Sequence, residues 1–515
     1  MIRKPLGDSA WLLEFQPSVA LSQVVALARA IRAAAPPCVR DVVSSYASIA
    51  VHTEPSSHRE IGAWLDEFQL GSSSTFDGIS IHEIPVCYDG EDLQTTAELL
   101  ALTIDELIDL HQSAIYTVAA IGFTPGFPYL TGLPPRLHLP RKHTPRLKIP
   151  AGSVAIAGNQ TGIYPCESPG GWNLLGKTNF ALFDPLANPP NRLQVGDQVR
   201  FIRVPFLEQN RNLTATHSNS IHDSNGVLEI LQLGSQTTLQ RMPRHGRESA
   251  GIGPGGAVDP QALDLANRLV GNSPDTWAME CCLSGPIIRF HRDVTYAQCD
   301  GHGRLRQASA GEVVNFSNMS GSVRSVIAFA GGISVPENHA QPLQISNGMW
   351  LALGLPSCTP RVGNWFVGWP SRRSHIQLRF LRGVQADWFS DQIYQNLTDG
   401  IFQLSPRSDR MGARLTGAPL HVQQTGQLVS QPVACGSVQV PPDGQPIVLM
   451  AGRQTIGGYP QIAHVISTDL SLLARAWPGT WIQFCEVSLD QAYEIHRQSV
   501  VDLGKIQCAI DLLKS

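Results

Sequence analysis

Two sets of side chains have the types and spacing to hold a small anion or an amide. The first lies in residues 121–178, where Arg141, Lys142, His143, Arg146, Lys148, Asn159, Gln160, Thr161 and Tyr164 punctuate a stretch dense in glycine and proline. The second lies in residues 409–460, with Asp409, Arg410, Arg414, Gln439, Gln454 and Tyr459. Arginine offers a rigid five-donor fork that matches a carboxylate or a phosphate. Glutamine can donate to and accept from an amide. His143 could serve as a general base near neutral pH, and Asp409 could aim a carboxylate at water or pair with Arg410. Each has a structural competitor. Arginine can tie its own loop, glutamine can satisfy a turn, and tyrosine can pack with its hydroxyl at the cleft edge.

Other candidates carry less. Ser168 and Ser437 lack a neighbouring base in sequence, so no serine nucleophile is expected. Asp259 follows a Gly-rich loop and precedes a helix, the position of a cap. Trp172 reads as a core anchor. The run from Gly171 to Gly176-Lys177-Thr178 satisfies the P-loop pattern. A phosphate cradle, however, needs a strand before it and a helix after it. Here a proline-rich turn precedes it, and residues 179–183 read as a strand.

Composition narrows the classes. The chain has 515 residues, 43% of them hydrophobic and 16% charged, with a formal net charge of −4. That length suits several domains, and no basic excess points to nucleic acid. The first residues hold too short an apolar run for a signal peptide, and no 18-residue apolar segment follows, so a cytoplasmic protein without a membrane span is expected. The ten cysteines form no CxxC pair. That speaks for free thiols and against a zinc site, and no metal is expected.

The elements that must position these groups emerge from the patterning, which reads as α+β and mostly β. Residues 1–82 alternate strands with single helices, as in a small ferredoxin-like layer, with Ser18 placed to cap the first helix. Residues 83–206 open with a strand and two short helices, the second with a Thr103/Glu106 capping box, and continue as β-structure with shaped loops. Residues 207–225 are polar and unpatterned, a linker. Residues 226–335 and 336–515 make two further β-rich units, the first with a helix over residues 261–270 stopped by Gly271.

The halves repeat a texture. Lys142-x3-Arg146-Leu147, Gly152-Ser153-Val154, Gly158-Asn159-Gln160-Thr161, Tyr164-Pro165 and the Gly196 turn run in order. Arg410-x3-Arg414-Leu415, Gly436-Ser437-Val438, Gly452-Arg453-Gln454-Thr455, Tyr459-Pro460 and the Gly479 turn keep the same order. A third closing turn runs from Gly311 to Phe316. Duplicated barrels facing one cleft are expected, with the paired guanidinium and carboxamide groups in a shared pocket.

Longer motifs carry a family likeness. Gly122-Phe123-Thr124-Pro125-Gly126-Phe127-Pro128-Tyr129, Pro150-Ala151-Gly152-Ser153-Val154, Gln160-Thr161-Gly162-Ile163-Tyr164-Pro165 and Ser168-Pro169-Gly170-Gly171-Trp172 resemble the KipI family, allophanate hydrolase subunit 1. Ala266-Asn267-Arg268-Leu269-Val270-Gly271-Asn272, Ser408-Asp409-Arg410-Met411-Gly412, Gln439-Val440-Pro441-Pro442-Asp443-Gly444-Gln445-Pro446 and Gln454-Thr455-x-Gly457-Gly458-Tyr459-Pro460 resemble the KipA family, allophanate hydrolase subunit 2. The likeness spans most of the chain. It implies a natural fusion of two proteins that are often separate, with cyclophilin-like β-barrels in both halves.

The activity implied first is that of the fused B and C subunits of an ATP-dependent 5-oxoprolinase, working with a LamB/YcsF-type partner as the A subunit. On that reading His143, Arg146, Asp409, Arg410 and Arg414 are catalytic. Lys148, Gln160, Thr161, Tyr164, Gln439, Gln454 and Tyr459 bind a small-molecule substrate. Two alternatives come with the likeness: the carboxyltransferase part of a biotin-dependent urea carboxylase, with biotin on a partner because no Met-Lys-Met segment occurs here, and a non-enzymatic histidine-kinase inhibitor. Homo-oligomerisation is left open. The second half departs from its pattern at Gln240-Arg241, at residues 341–346 and at Gly452, the marks of a divergent member.

Overall fold

The computed structural model describes residues 1–16, 18–68, 80–207, 226–319, 321–336, 343–356, 366–368, 374–424 and 428–514. The linker expected at 207–225 lies, but for its first residue, outside them.

The N-terminal lobe is an antiparallel sheet in the order β1 (Ile2–Pro5), β2 (Ala10–Glu14), β4 (Ser48–Thr53), β3 (Val39–Ser45). Helices α1 (Leu21–Ala34) and α2 (His58–Glu67) cover one face, where Leu13, Val24, Ile31, Val42, Ile49 and Ile61 pack together. The other face is apolar too: Leu6, Ala10, Leu12 and Ala50 pack on Val384 and Ala434. Strand β4 is accordingly buried at every residue, including the polar Ser48, His52 and Thr53. Helix α1 begins after Ala20, two residues beyond Ser18. A ferredoxin-like layer would draw its last strand from the chain after α2; here that strand, β5 (Ile81–Val86), pairs with Gln198–Arg203, and the sheet runs on from β3, through the pairing of Ser45 with Ala120, into the strands of the first barrel.

The first barrel comes next. After β5 stand α3 (Leu93–Leu99), α4 (Ile104–Ser113), β6 (Tyr116–Ile121), β7 (Pro128–Thr131), β8 (Arg146–Ile149), β9 (Ser153–Ala157), β10 (Gln160–Ile163), β11 (Ser168–Gly170), β12 (Asn173–Lys177) and β13 (Gln198–Arg203). Thr103 caps α4 as expected, its hydroxyl accepting from Glu106 N at 3.2 Å while Glu106 accepts from Thr103 N at 2.8 Å. The pairing runs β5-β13-β6-β7-β10-β9-β12. Reciprocal 2.9 Å bonds between Cys87 and Lys177 return it to β5. Strands β8 and β11 form a separate two-stranded flap.

The middle lobe holds two sheets rather than one ring. One contains β14 (Leu228–Gln232), β17 (Ile287–Phe290), β20 (Val313–Asn315) and β23 (Trp350–Leu351). The other contains β15 (Gln236–Gln240), β16 (Ala278–Cys282), β18 (Val294–Cys299), β19 (His302–Ala308), β21 (Arg324–Phe329), β22 (Leu343–Gln344) and β24 (Phe366–Gly368). The Gly311 turn feeds β20, at the edge of the smaller sheet. Helix α5 (Pro260–Leu269) is capped by Asp259, whose carboxylate accepts from Ala262 N at 3.1 Å and from Arg475 Nη2 at 3.0 Å. Asp259 is thus the expected cap.

The last lobe is a closed barrel of β25 (His375–Arg382), β26 (Phe402–Leu404), β27 (Gly412–Thr416), β29 (Ser437–Gln439), β30 (Ile447–Leu449), β32 (Gln461–Val465) and β33 (Trp481–Glu486). Strands β28 (Gln431–Pro432) and β31 (Ile456–Gly457) make its flap, and α6 (Asp391–Asp399), α7 (Leu470–Arg475) and α8 (Leu489–Lys514) complete it. The ring order, β25-β33-β26-β27-β30-β29-β32, matches the first barrel strand for strand, including the one parallel pair. The duplication expected from the sequence is therefore present. Among the described residues no helix is long and apolar enough to cross a membrane.

Candidate functional site: the mouth of the last barrel

Turns and strand ends of the last barrel enclose a cavity of 630 Å³. Strands β27 and β30 form its floor, the loops at 405–411 and 441–446 its sides, and Gln454 and Tyr459 its rim. Five residues singled out in the second half line it together: Asp409, Arg414, Gln439, Gln454 and Tyr459.

Their roles differ. Asp409 shapes the turn before β27, accepting from Met411 N at 2.7 Å and Gly412 N at 3.0 Å. Arg414 sits on β27 opposite Ile447, with an exposed side chain that no carboxylate among the described residues pairs. Gln439 is buried at the end of β29 and donates to the Tyr459 carbonyl at 3.4 Å. Gly457 explains how the two carboxamides approach: a Cβ there would lie 2.5 Å from Gln439 Nε2 and 3.4 Å from Gln454 Nε2. A free guanidinium beside two converging amides suits a compact molecule with one anionic and one amide group. Arg407, Asp443 and Gln445 also line the cavity, from turns whose sequence shows no periodicity.

Arg410, four residues before Arg414, points elsewhere. Its guanidinium pairs with Glu280 and donates to the Gly256 carbonyl, tying the barrel to the middle lobe. Glu280 is 4% exposed and also accepts from Val258 N at 2.6 Å.

The first-half candidates do not reach this cavity, so the shared pocket expected from the repeat is replaced by a cavity that, among the described residues, is built from the last barrel alone. Arg146 lies on the flap strand β8, bonded to Asp92 at 2.7 Å and near Glu91 at 3.3 Å. Asp92 also takes Lys142 Nζ at 2.5 Å and Leu174 N at 2.8 Å. Burial pushes the Asp92 carboxyl up, but the bonds from Arg146, Leu174 and Lys142 outweigh it and leave the carboxyl below its usual range. Lys148 pairs with Glu167 at 3.0 Å on the surface, and His143 is exposed. Gln160 is half-buried at the start of β10. Thr161 is fully buried, donating to the Ala155 carbonyl at 3.0 Å and bonded to His111 Nε2 at 3.0 Å. Tyr164 packs edge-on against Phe127, and burial pushes its hydroxyl far up.

The register shows why the Arg146 and Arg414 markers mislead. Val154 pairs with Ile163 as Val438 pairs with Val448, which sets Arg414 opposite Ile447 where Tyr129 stands opposite Gly162. The P-loop pattern is strand β12, and the residues after it form coil with an isolated bridge at Phe183 rather than the expected strand. Lys177 pairs with Asp89 at 2.6 Å.

The first half still serves the second. The loop from Gly452 to Ile456 docks on the turn after β6, where a Cβ on Gly122 would lie 2.4 Å from Ile456 and 2.8 Å from Thr455 Oγ1. Ile456 then enters the cluster of Phe127, Tyr129, Tyr164 and Trp172. The glycine-rich motif of the first half thereby supports the loop that carries Gln454.

Comparison with known proteins gives a consistent set. The family model described as "Carboxyltransferase domain, subdomain C and D" matches residues 1–193, and "Carboxyltransferase domain, subdomain A and B" matches residues 250–486. The 5-oxoprolinase B subunit from Bacillus subtilis is 54% identical over 127 residues, 24% of this chain; the chain spans about half of that relative, 53%. The corresponding B subunit from Escherichia coli O157:H7 is 39% identical over 208 residues, 38% of this chain and 93% of that protein. The 5-oxoprolinase C subunit from Escherichia coli K12 is 33% identical over 293 residues, 52% of this chain and 93% of that protein. Urea amidolyase from Saccharomyces cerevisiae is a more distant match, 24% identical over 56% of this chain and 18% of its own length. The crystal structure of TTHA0988 superposes with a TM-score of 0.78 at 32% identity, covering 92% of this chain and 99% of that one.

Proposed function

The chain belongs to the carboxyltransferase-domain family that includes the B and C subunits of 5-oxoprolinase, and on that premise we propose that it is a natural fusion of the two. In this reading it opens 5-oxoproline to glutamate with ATP, in the cytoplasm, together with a separate LamB/YcsF-type partner in the role of the A subunit. The observation that carries the proposal is the order of the two likenesses in one chain, B-like and then C-like, each covering 93% of an Escherichia coli protein.

The chemistry fits the barrel cavity. A lactam is a stable amide, and phosphorylation of its oxygen, which ATP supplies, creates a leaving group. Arg414 would hold the substrate carboxylate or the phosphoryl oxygens, and Arg407 adds a second guanidinium to the same wall. The Gln439 and Gln454 carboxamides would orient the ring amide. Donors aimed at developing negative charge are the usual means of lowering such a barrier.

The test is glutamate release from the purified chain and its LamB/YcsF-type partner, dependent on both ATP and 5-oxoproline. An assembled complex that binds both compounds yet releases no glutamate sinks the proposal. Carboxyl transfer is the second reading, favoured by the descriptions of the two matching family models. Movement of labelled carboxylate from carboxybiotin on a separate carrier to urea, with no glutamate release, would establish it instead.

A further inference from the structure

A second cavity, of 160 Å³, lies where the N-terminal lobe, the loop before α5 and the last barrel meet. Its polar lining is Arg40, His52, His245, Cys435 and Arg453, together with Ser9, Thr53 and Ser467. The rest of the lining is proline, alanine, valine and leucine for the most part. None of the cavity residues lines the barrel mouth.

Arg453 is the anomaly. It is 3% exposed, and no carboxylate among the described residues comes within ion-pair distance of it. Its Nη1 donates to the Gln454 carbonyl at 3.2 Å, while its Nε has no partner among the described residues. His52, 4% exposed on the same wall, has an Nε2 without a partner among the described residues. The carboxylate of Glu248 is taken up by other donors: His245 Nδ1 at 2.8 Å, Gly246 N at 2.8 Å and Arg247 N at 3.1 Å. Arg40 bonds His245 Nε2 at 3.2 Å and lies 3.8 Å from Glu54. Glu248 acts on Arg453 only from beyond ion-pair distance, and a desolvated guanidinium without a contacting carboxylate is expensive; an imidazole nitrogen left bare beside it adds to the cost. Burial accordingly pulls Arg453 below the usual arginine range, and His52 is pulled down to about 3. A neutral His52 can donate its Nε2 hydrogen.

We propose that this chamber binds a small monocarboxylate, with the carboxylate bridging Arg453 and His52 Nε2 and a short apolar body against Pro243, Val258 and Ala434. Size sets the class: at ~30 Å³ per water the space holds about five waters, enough for an acid of a few carbons and far too little for a nucleotide. The apolar wall favours an acid with a hydrocarbon body over a bare phosphate. The site stands independently of the reading given to the barrel cavity. Occupancy would also fix the peptide that joins Arg453 to Gln454.

Calorimetric titration of the full chain with propionate, and separately with inorganic phosphate, tests it. Propionate is expected to bind the wild type and the Arg414→Ala variant alike, and to lose at least about 10-fold in affinity in Arg453→Met. Removing an unpaired buried charge should leave Arg453→Met folded. If it does not fold, Ala451→Leu fills the same cavity without touching the charge and should abolish binding. No propionate binding at millimolar concentration, or binding indifferent to both changes, overturns the site. Tighter binding of phosphate than of propionate, with the same dependence on Arg453, overturns the monocarboxylate assignment.

Discussion

Arg453 and Gln454 are consecutive in the chain yet face different cavities, the chamber between lobes and the mouth of the last barrel. Their loop is held from three sides. The Gly452 N–H donates to the Arg410 carbonyl at 2.7 Å, Ile456 packs on the first barrel, and a Cβ on Gly253 would lie 2.6 Å from the Arg453 carbonyl. Placement of one carboxamide in the barrel mouth thus depends on all three parts of the chain, which gives a physical reason for joining the two halves.

Gly457→Ala should damage binding rather than folding. The new methyl meets Gln439 Nε2, the end of a side chain that can move, so the fold adjusts. With Gln439 in its proposed role, displacing that carboxamide removes one hydrogen bond to the amide substrate, so KM should rise about 10-fold with the melting temperature nearly unchanged. A variant with unchanged KM would remove Gln439 from the site.

Arg414→Ala and Arg410→Ala should separate cleanly. Arg414 is exposed and unpaired among the described residues, so its loss should raise KM for an anionic substrate by ~10–100-fold and leave stability alone. Arg410 neutralises the buried Glu280, so its loss should destabilise by about 3 kcal/mol. Urea unfolding beside steady-state kinetics reads both. The assignments fail if Arg410→Ala is as stable as wild type, or if Arg414→Ala keeps its KM.

The duplication was legible because turns carry it. Gly152-Ser153-Val154 and Gly436-Ser437-Val438 open equivalent strands, and the Gly196 and Gly479 turns feed equivalent closing strands. Arg146 and Arg414 share only a spacing: one is on a flap strand, the other on a barrel strand. No local pattern distinguishes these, because flap and barrel strands of a few residues have the same period. Arg453 was visible only as part of a motif. Its burial and missing counter-ion arise from contacts with residues far away in sequence, such as Gly253 and His52.

Arg146→Ala tests whether that arginine is a tie or a catalyst. Removing it leaves Asp92 with Lys142 and Leu174 N, so a loss of about 1–3 kcal/mol is expected. The Asp92 carboxyl is held low, so its stabilising contribution is present above about pH 4 and drains away as pH falls through the depressed folded value. The variant should therefore lose less stability than the wild type on acidification below that point. Unchanged unfolding with a collapsed kcat would make Arg146 a catalytic group instead.

Acid sensitivity nearer neutrality should come from buried histidines, and His111 is the cleanest case. It is fully buried, and burial lowers it to about 3. Its Nε2 meets the Thr161 hydroxyl at 3.0 Å and its Nδ1 the Tyr88 hydroxyl at 2.8 Å. Thr161 donates onward to Ala155, so Nε2 carries the hydrogen and Nδ1 accepts. Above about pH 6.5 the ring is neutral in both folded and unfolded chains and adds no pH dependence. Below that, the unfolded chain takes a proton that the folded one refuses until about pH 3, so stability falls as pH drops through this window. One such group contributes ~1.4 kcal/mol per pH unit, and His52 and His464, also lowered to about 3, act in the same direction. Replacing His111 with glutamine should reduce the slope of unfolding free energy between about pH 6 and pH 5 by that amount. Identical slopes in the two proteins would show that the ring already carries its proton in the folded state.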